Sequence, residues 1–141
     1  MLCQDVMKVD LKCVSPQTTL GDAAIIMRDE GVGFLPVCDA AHQVLGTLTD
    51  RDITIRAVAS SAASDQPVDS FMTRNVVACR STDDLFRAQE LMSQEKVSRI
   101  MCVDEDGGLE GVISLSDIAQ LERGARAATT LQDVSDREAR L

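Results

Sequence analysis

The chain has 141 residues, 45% of them hydrophobic, which supports one compact domain with a buried core, and its 14 basic and 23 acidic residues leave a net charge of −9. That charge repels polyanions, and with no Trp, no Tyr and only three Phe there is no aromatic platform for stacked bases, which argues against nucleic acid as a partner. No apolar run approaches the ~18–20 residues of a membrane span, and the opening Met1-Leu2-Cys3-Gln4-Asp5 lacks the basic and apolar segments of a signal peptide, so the expectation is a soluble, cytoplasmic chain without a membrane role.

In chain order, Leu11 to Ser15 reads as a short strand ended by Pro16, and Thr18-Thr19 supplies hydroxyls suited to capping a helix. That helix is expected over residues 20–30. Leu20, Ala23, Ala24 and Met27 fall on one face of a 3.6-residue period, with Asp22, Arg28 and Asp29 elsewhere on its surface and Gly31 as the stop. Phe34 to Cys38 and Val44 to Thr49 are short, apolar and partly β-branched runs on either side of Asp39-Ala40-Ala41-His42-Gln43, which makes them the two strands of a hairpin. A second helix begins near Asp50. Ser60 to Pro67 is polar, rich in small residues and ends on proline, the character of a linker.

From Asp5 to Ser60 the chain returns without a gap as Ser70 to Ala125, every position displaced by 65, as Gly46 is to Gly111. Met7 pairs with Met72, Leu20 with Leu85, Ala23 with Ala88, Met27 with Met92, Val32 with Val97 and Asp39 with Asp104. In the second copy the hairpin loop is Asp104-Glu105-Asp106-Gly107-Gly108, a strong turn signal between strands at 100–103 and 109–114. Its last helix begins near Ser116 and ends at Arg123, with Gly124 as the cap.

Each copy is therefore strand, helix, strand, strand, helix, an α+β arrangement too small to cover its own apolar surface. Two copies packed with pseudo-twofold symmetry would bury it. The expected organisation is repeat 1 over residues 3–60, a linker at 61–68, repeat 2 over 69–124 and a tail at 125–141, whose mixed charge leaves both a helix and disorder open.

The most informative duplicated stretch is Gly46-Thr47-Leu48-Thr49-Asp50-Arg51-Asp52-Ile53, which returns as Gly111-Val112-Ile113-Ser114-Leu115-Ser116-Asp117-Ile118. Thr49-x-x-Asp52 and Ser114-x-x-Asp117 have the form of a capping box, and capping alone accounts for a hydroxyl and an acid at this spacing. A strand-to-helix junction also offers free N–H groups for phosphate, a hydroxyl, and a carboxylate that accepts two bonds from a ribose diol. Because a carboxylate repels phosphate, Asp52 and Asp117 suit the sugar, with Arg51, Arg56 and Arg99 as candidate phosphate ligands.

The repeat resembles a cystathionine-beta-synthase (CBS) domain, and the tandem pair resembles a Bateman module, over roughly residues 3–124. The resemblance rests on Asp5-Val6-Met7 and Ser70-Phe71-Met72, on Leu35-Pro36-Val37-Cys38-Asp39, and on the Gly-h-h-[Thr/Ser]-x-x-Asp motif of both copies. Thr49-Asp50-Arg51-Asp52-Ile53 with Arg56-Ala57-Val58 is further similar to short bacterial proteins made of little beyond one CBS pair.

The resemblance implies a regulatory, signal-transducing fold. Two clefts between the repeats would bind AMP, ADP, ATP or S-adenosylmethionine, with no required cofactor, in a homodimer that reports to a protein partner. One cleft would use Thr49 and Asp52 with Thr73, Val76, Ser98 and Arg99; the other, Ser114 and Asp117 with Lys8, Leu11, Gly33 and Phe34. The sequence departs from the family at Met101, where proline is frequent, and at Lys8, where threonine is favoured. The alternative it allows is a dimeric interaction module without bound nucleotide.

No nucleophile, base and orienting group fall in one motif, so an enzyme is not expected. The five cysteines are odd in number, well separated and free of any C-x-x-C pair, which argues against zinc or a disulfide framework, and four read as small buried hydrophobes. His42, the one histidine, reads as a surface residue of a hairpin loop, Met7, Met27, Met72 and Met92 as core, and Asp104-Glu105-Asp106 as a solvated turn.

Overall fold

The computed structural model describes residues 1–121 and 125–139. They form two compact units, a continuous one of Lys12–Val76 and a split one of Met1–Leu11 with Val77–Leu141. The units do not follow the sequence repeats, because the segment that opens each copy is built into the unit that holds the other copy's hairpin.

In the continuous unit, α1 (Leu20–Glu30) starts where Thr19 Oγ1 accepts the Asp22 N–H at 3.1 Å and stops at Gly31, whose left-handed φ of 67° glycine adopts without strain. Two further N–H groups of its first turn are satisfied by the stretch after repeat 1: Gln66 and Ser64 carbonyls accept from Leu20 and Gly21 at 2.9 and 2.8 Å. Strands β1 (Phe34–Cys38) and β2 (Val44–Thr49) pair antiparallel from Phe34 opposite Thr49 to Cys38 opposite Val44. After β2 the chain turns into α2 (Asp50–Asp52), then a π-helical turn over Ile53–Ala57 and a 3₁₀ turn over Val58–Ser60, so the expected second helix is three short segments.

The split unit repeats the plan 65 positions on, with β3 (Ala78–Arg80), α3 (Leu85–Glu95), β4 (Arg99–Val103), β5 (Leu109–Ser114) and α4 (Leu115–Leu121). Asp84 caps α3 through Phe86 at 2.9 Å, and the Met1 carbonyl accepts from Leu85 at 2.9 Å, the counterpart of Gln66 on Leu20. The expected helix end at Arg123, with Gly124 as its cap, lies outside the described residues.

One expected strand is absent. Leu11 to Ser15 contributes only a single bridge, Val14 parallel to Val37, whereas its counterpart β3 pairs with β4 over three residues. The cause lies across the ladder. Met101 donates its N–H to the Val77 carbonyl at 3.2 Å, but the equivalent residue of the continuous unit is Pro36, which has no N–H to give to Lys12.

Each unit has its own apolar core. Val14, Leu20, Ala23, Met27, Leu35, Val37, Leu48, Val68 and Met72 fill the continuous unit, and Cys3, Cys79, Leu85, Ala88, Met92, Ile100, Cys102, Ile113 and Ile118 fill the split one. The duplicated pairs Leu20/Leu85, Ala23/Ala88 and Met27/Met92 are thus core positions, while Val32 is exposed. Cys3, Cys79 and Cys102 occupy the positions of Val68, Val14 and Val37, and act there as small apolar side chains.

The tail, left open by the sequence, is a helix, α5 (Ala125–Ala139). It packs on α3 and α4 within the split unit and buries Thr130 and Val134, one turn apart on one face. Among the described residues no helix is long and apolar enough to cross a membrane.

Candidate functional site

The repeated strand-to-helix junction forms a reciprocal capping box in both units. At the end of β2, Thr49 N–H donates to Asp52 Oδ2 and Asp52 N–H to Thr49 Oγ1, each at 3.0 Å. At the end of β5, Ser114 N–H donates to Asp117 Oδ2 at 3.0 Å and Asp117 N–H to Ser114 Oγ at 3.2 Å. Two orphan donors are satisfied at each junction, and both carboxylates are fixed in direction.

Each carboxylate thereby commits Oδ2 to the helix and turns Oδ1 to a residue of the strap that crosses the hairpin, residues 72–76 in the continuous unit and 7–11 in the split one. In the continuous unit Thr73 Oγ1 lies 3.4 Å from Asp52 Oδ1; in the split unit Lys8 Nζ lies 3.4 Å from Asp117 Oδ1. Lys8 and Thr73 are the same position of the duplication. The strap also explains the glycine that opens the motif. Thr47 and Thr73 exchange backbone bonds at 2.9 Å in both directions, so the strap runs directly over Gly46, where a Cβ would stand 2.6 Å from the Thr73 carbonyl oxygen. Lys8 and Val112 exchange bonds at 2.9 and 3.1 Å, and a Cβ on Gly111 would meet the Met7 side chain at 2.6 Å.

Arg56, named among the phosphate candidates, is engaged at the same carboxylate. Its Nε stands 3.7 Å from Asp52 Oδ1 and its Nη1 donates to the Met72 carbonyl at 3.2 Å, tying helix, carboxylate and strap together. Arg51 is exposed and, with Asp50, Thr54 and Ile55, lines a shallow depression of the continuous unit. Gly33 and Phe34 lie beside the junction of their own unit, Gly33 accepting from Asp50 N–H at 2.9 Å and Phe34 opposite Thr49. Ser98 and Arg99 stand in the same relation to Leu115 and Ser114 in the split unit. Val76 and Leu11 are half-buried at the ends of their straps.

The surroundings of Asp117 displace its acidity. Burial pushes its pKa up, but the Ser114 N–H and hydroxyl bonds and the Lys8 ammonium outweigh it and hold the group below the ordinary carboxylate value. A depressed folded-state pKa adds stability that is present above the unfolded value of about 3.9 and lost as pH falls through the folded one. Stability measured by urea unfolding should therefore decline below about pH 4, and Asp117→Asn should remove part of that decline. Lys8→Ala should remove little of it and only at low salt, because the Lys8 side chain is 71% exposed. An Asp117→Asn protein with the wild-type acid profile would contradict this account.

The structure also gathers residues that sequence reasoning left apart. Cys13, Cys38 and His42 place their ligand atoms within 4.8 Å of one another in the continuous unit. No local spacing announces this group, since the Val14–Val37 bridge creates it.

Comparison with known proteins agrees with this geometry. The CBS domain family matches residues 3–58 and 68–124. The CBS domain-containing protein YhcV of Bacillus subtilis is 34% identical over 116 residues, covering 82% of this chain and 81% of that protein. The crystal structure of a CBS domain protein of unknown function from Thermoplasma acidophilum superposes with a TM-score of 0.82 at 25% identity, covering 94% of this chain and 75% of that one. The structure of CBSX2 in complex with AMP gives a TM-score of 0.74 at 25% identity over 85% of this chain and 94% of that one. With two duplicated α+β copies, each ending its hairpin in the Gly-h-h-[Thr/Ser]-x-x-Asp junction, the chain belongs to the CBS-domain family and carries two CBS domains.

Proposed function

We propose that this chain is a non-catalytic regulatory module that binds an adenosine-containing ligand, with AMP the first choice, through Asp52 and Asp117. The observation that carries the reading is the division of labour within each carboxylate. One oxygen is held by the capping box, so the group is rigid, and among the described residues the other meets a hydroxyl and a partly exposed guanidinium at Asp52, or an exposed ammonium at Asp117. A fixed carboxylate accepts the paired hydroxyls of a ribose with little ordering penalty. CBSX2, a relative by fold and at 25% identity, is an AMP complex, which supports an adenine nucleotide.

Thr49 and Thr73 then act beside the sugar at Asp52, and Ser114 and Lys8 at Asp117, Lys8 adding a positive charge suited to phosphate. The proposal carries with it Arg51, Val76, Ser98, Arg99, Leu11, Gly33 and Phe34 as further ligand contacts. Cytoplasmic location, a homodimer and a protein partner that reads the liganded state belong to the same reading. To transmit a signal, the ligand must favour one arrangement of the protein over another by its differential affinity.

Calorimetry on ligand-free protein with AMP, ATP and S-adenosylmethionine tests the reading. We expect a saturable heat with at least one of the three. Three flat titrations would leave the capping box as the whole purpose of the motif and favour an interaction module without nucleotide.

A further inference from the structure

We propose that Cys13, Cys38 and His42 form a binding site for one zinc-class metal ion, with two thiolates and one imidazole as ligands and a fourth position open to solvent. The three ligand atoms lie within 4.8 Å of one another. Tetrahedral zinc, with Zn–S near 2.3 Å and Zn–N near 2.0–2.1 Å, sets its ligands roughly 3.5–3.8 Å apart, so the observed group lies a small adjustment from a site. Thiolate with imidazole is the donor set that zinc favours over calcium or magnesium.

Three features of the fold build the group. Val14 N–H donates to the Pro36 carbonyl at 3.0 Å and Cys38 N–H to the Val14 carbonyl at 2.9 Å, which brings Cys13 alongside Cys38. Asp39 Oδ1 accepts from the Ala41 and Gln43 N–H groups, each at 2.9 Å, and folds the hairpin loop back toward the strand end. His42 then sits at a left-handed φ of 65°, where the sister repeat has Gly107 at 84°. A histidine is strained where the turn is best served by glycine, and the chain's one histidine stands there.

The group is not a by-product of the duplication, because its counterparts are Ala78, Val103 and Gly107, none of them a ligand. It differs in this from Cys3, Cys79 and Cys102, which are sealed in the core where the other unit has valines. Here Cys38 is buried, Cys13 half-buried and His42 exposed, so an ion can enter from solvent.

The test uses the full chain, reduced and metal-free, titrated with Co(II) without oxygen and then challenged with Zn(II). We expect one Co(II) per chain, with thiolate-to-cobalt charge-transfer absorption and tetrahedral ligand-field bands that Zn(II) abolishes. Cys13→Ser removes one of the two thiolates, so it should weaken cobalt binding and cut the charge-transfer absorption per bound ion by about half. His42→Asn should weaken binding by at least about tenfold, the lower end of what even outer ligands of metal sites contribute, and asparagine tolerates the left-handed backbone, so the fold survives. Cys38→Ser removes a buried side chain and is informative only beside these two. No band in the wild type, a band undiminished in Cys13→Ser and His42→Asn, or a band lost instead in Cys79→Ser would each overturn the proposal.

Discussion

Gly46→Ala should destabilise the protein by about 1–3 kcal/mol, the usual penalty of overpacking, and Gly111→Ala by clearly less. The two glycines open the same motif and are crossed by the same strap, so the difference comes from what each new methyl would meet. At Gly46 it is the Thr73 carbonyl oxygen at 2.6 Å, a backbone atom held by bonds of 2.9 Å to and from Thr47. Thr73 cannot withdraw without giving up both bonds. At Gly111 the nearest atoms are Cγ and Sδ of Met7, each at 2.6 Å, in an unbranched side chain with rotamers to spare.

Alanine also narrows the unfolded ensemble, an opposing gain of about 0.4–1 kcal/mol at both sites, which brings Gly111→Ala near neutral and leaves Gly46→Ala clearly unfavourable. Urea midpoints at unchanged slope measure the contrast. Equal midpoints for the two variants would mean that the straps do not constrain the motif. A second readout follows from the geometry: a strap displaced at Thr73 also leaves Asp52 Oδ1, so Gly46→Ala should weaken ligand binding, while Gly111→Ala should spare the Asp52 site.

The elements governed by local chemistry were legible in the sequence. Residues 20–30 carry a threonine cap, an apolar face and a terminal glycine, and α1 has those bounds. The hairpin strands, marked by β-branched runs around turn residues, likewise fall at Phe34–Cys38 and Val44–Thr49. What was not legible depends on partners distant in the chain. Leu11 to Ser15 has the composition of a strand, but its ladder is cut short by the missing N–H of Pro36, a residue outside the segment.

The assignment of the straps, Thr73 to Asp52 and Lys8 to Asp117, came from the family resemblance and not from the repeat itself. A displacement of 65 residues is preserved whether residues 1–11 join the first hairpin or the second, so periodicity alone cannot tell which carboxylate Lys8 meets. The site was half visible. The spacing of Thr49 and Asp52 disclosed both the cap and the candidate sugar ligand, whereas the role of Arg56 as a brace on Asp52 and the Met72 carbonyl, and the approach of Cys13 to His42, exist only once the strap and the bridge are in place.

Asp52→Ala and Asp52→Asn should separate the two roles of this carboxylate. Alanine removes the acceptor of the Thr49 N–H and leaves Arg56 without its counter-charge, so it should lower stability by about 1–2 kcal/mol, typical for a lost helix cap, and abolish ligand binding at this site. Asparagine keeps an oxygen where Oδ2 accepts from Thr49 and so keeps most of the cap. It loses the charge that makes hydrogen bonds to a carboxylate worth about 1.5–3 kcal/mol, and AMP affinity should fall roughly 10- to 100-fold by the same measure.

Thr49→Val is the converse control. It deletes the hydroxyl that caps Asp52 N–H yet leaves the carboxylate charged, so it should reduce stability more than Asp52→Asn does and ligand affinity less. Calorimetry with AMP on all three variants, with urea unfolding of each, decides the matter. If affinity follows stability across the series, the carboxylate serves only as a cap and the ligand lies elsewhere. If Asp52→Asn is well folded and binds AMP poorly while Asp117→Asn retains the Asp52 heat, each unit carries its own sugar-binding carboxylate, and the capping box is the device that holds it rigid.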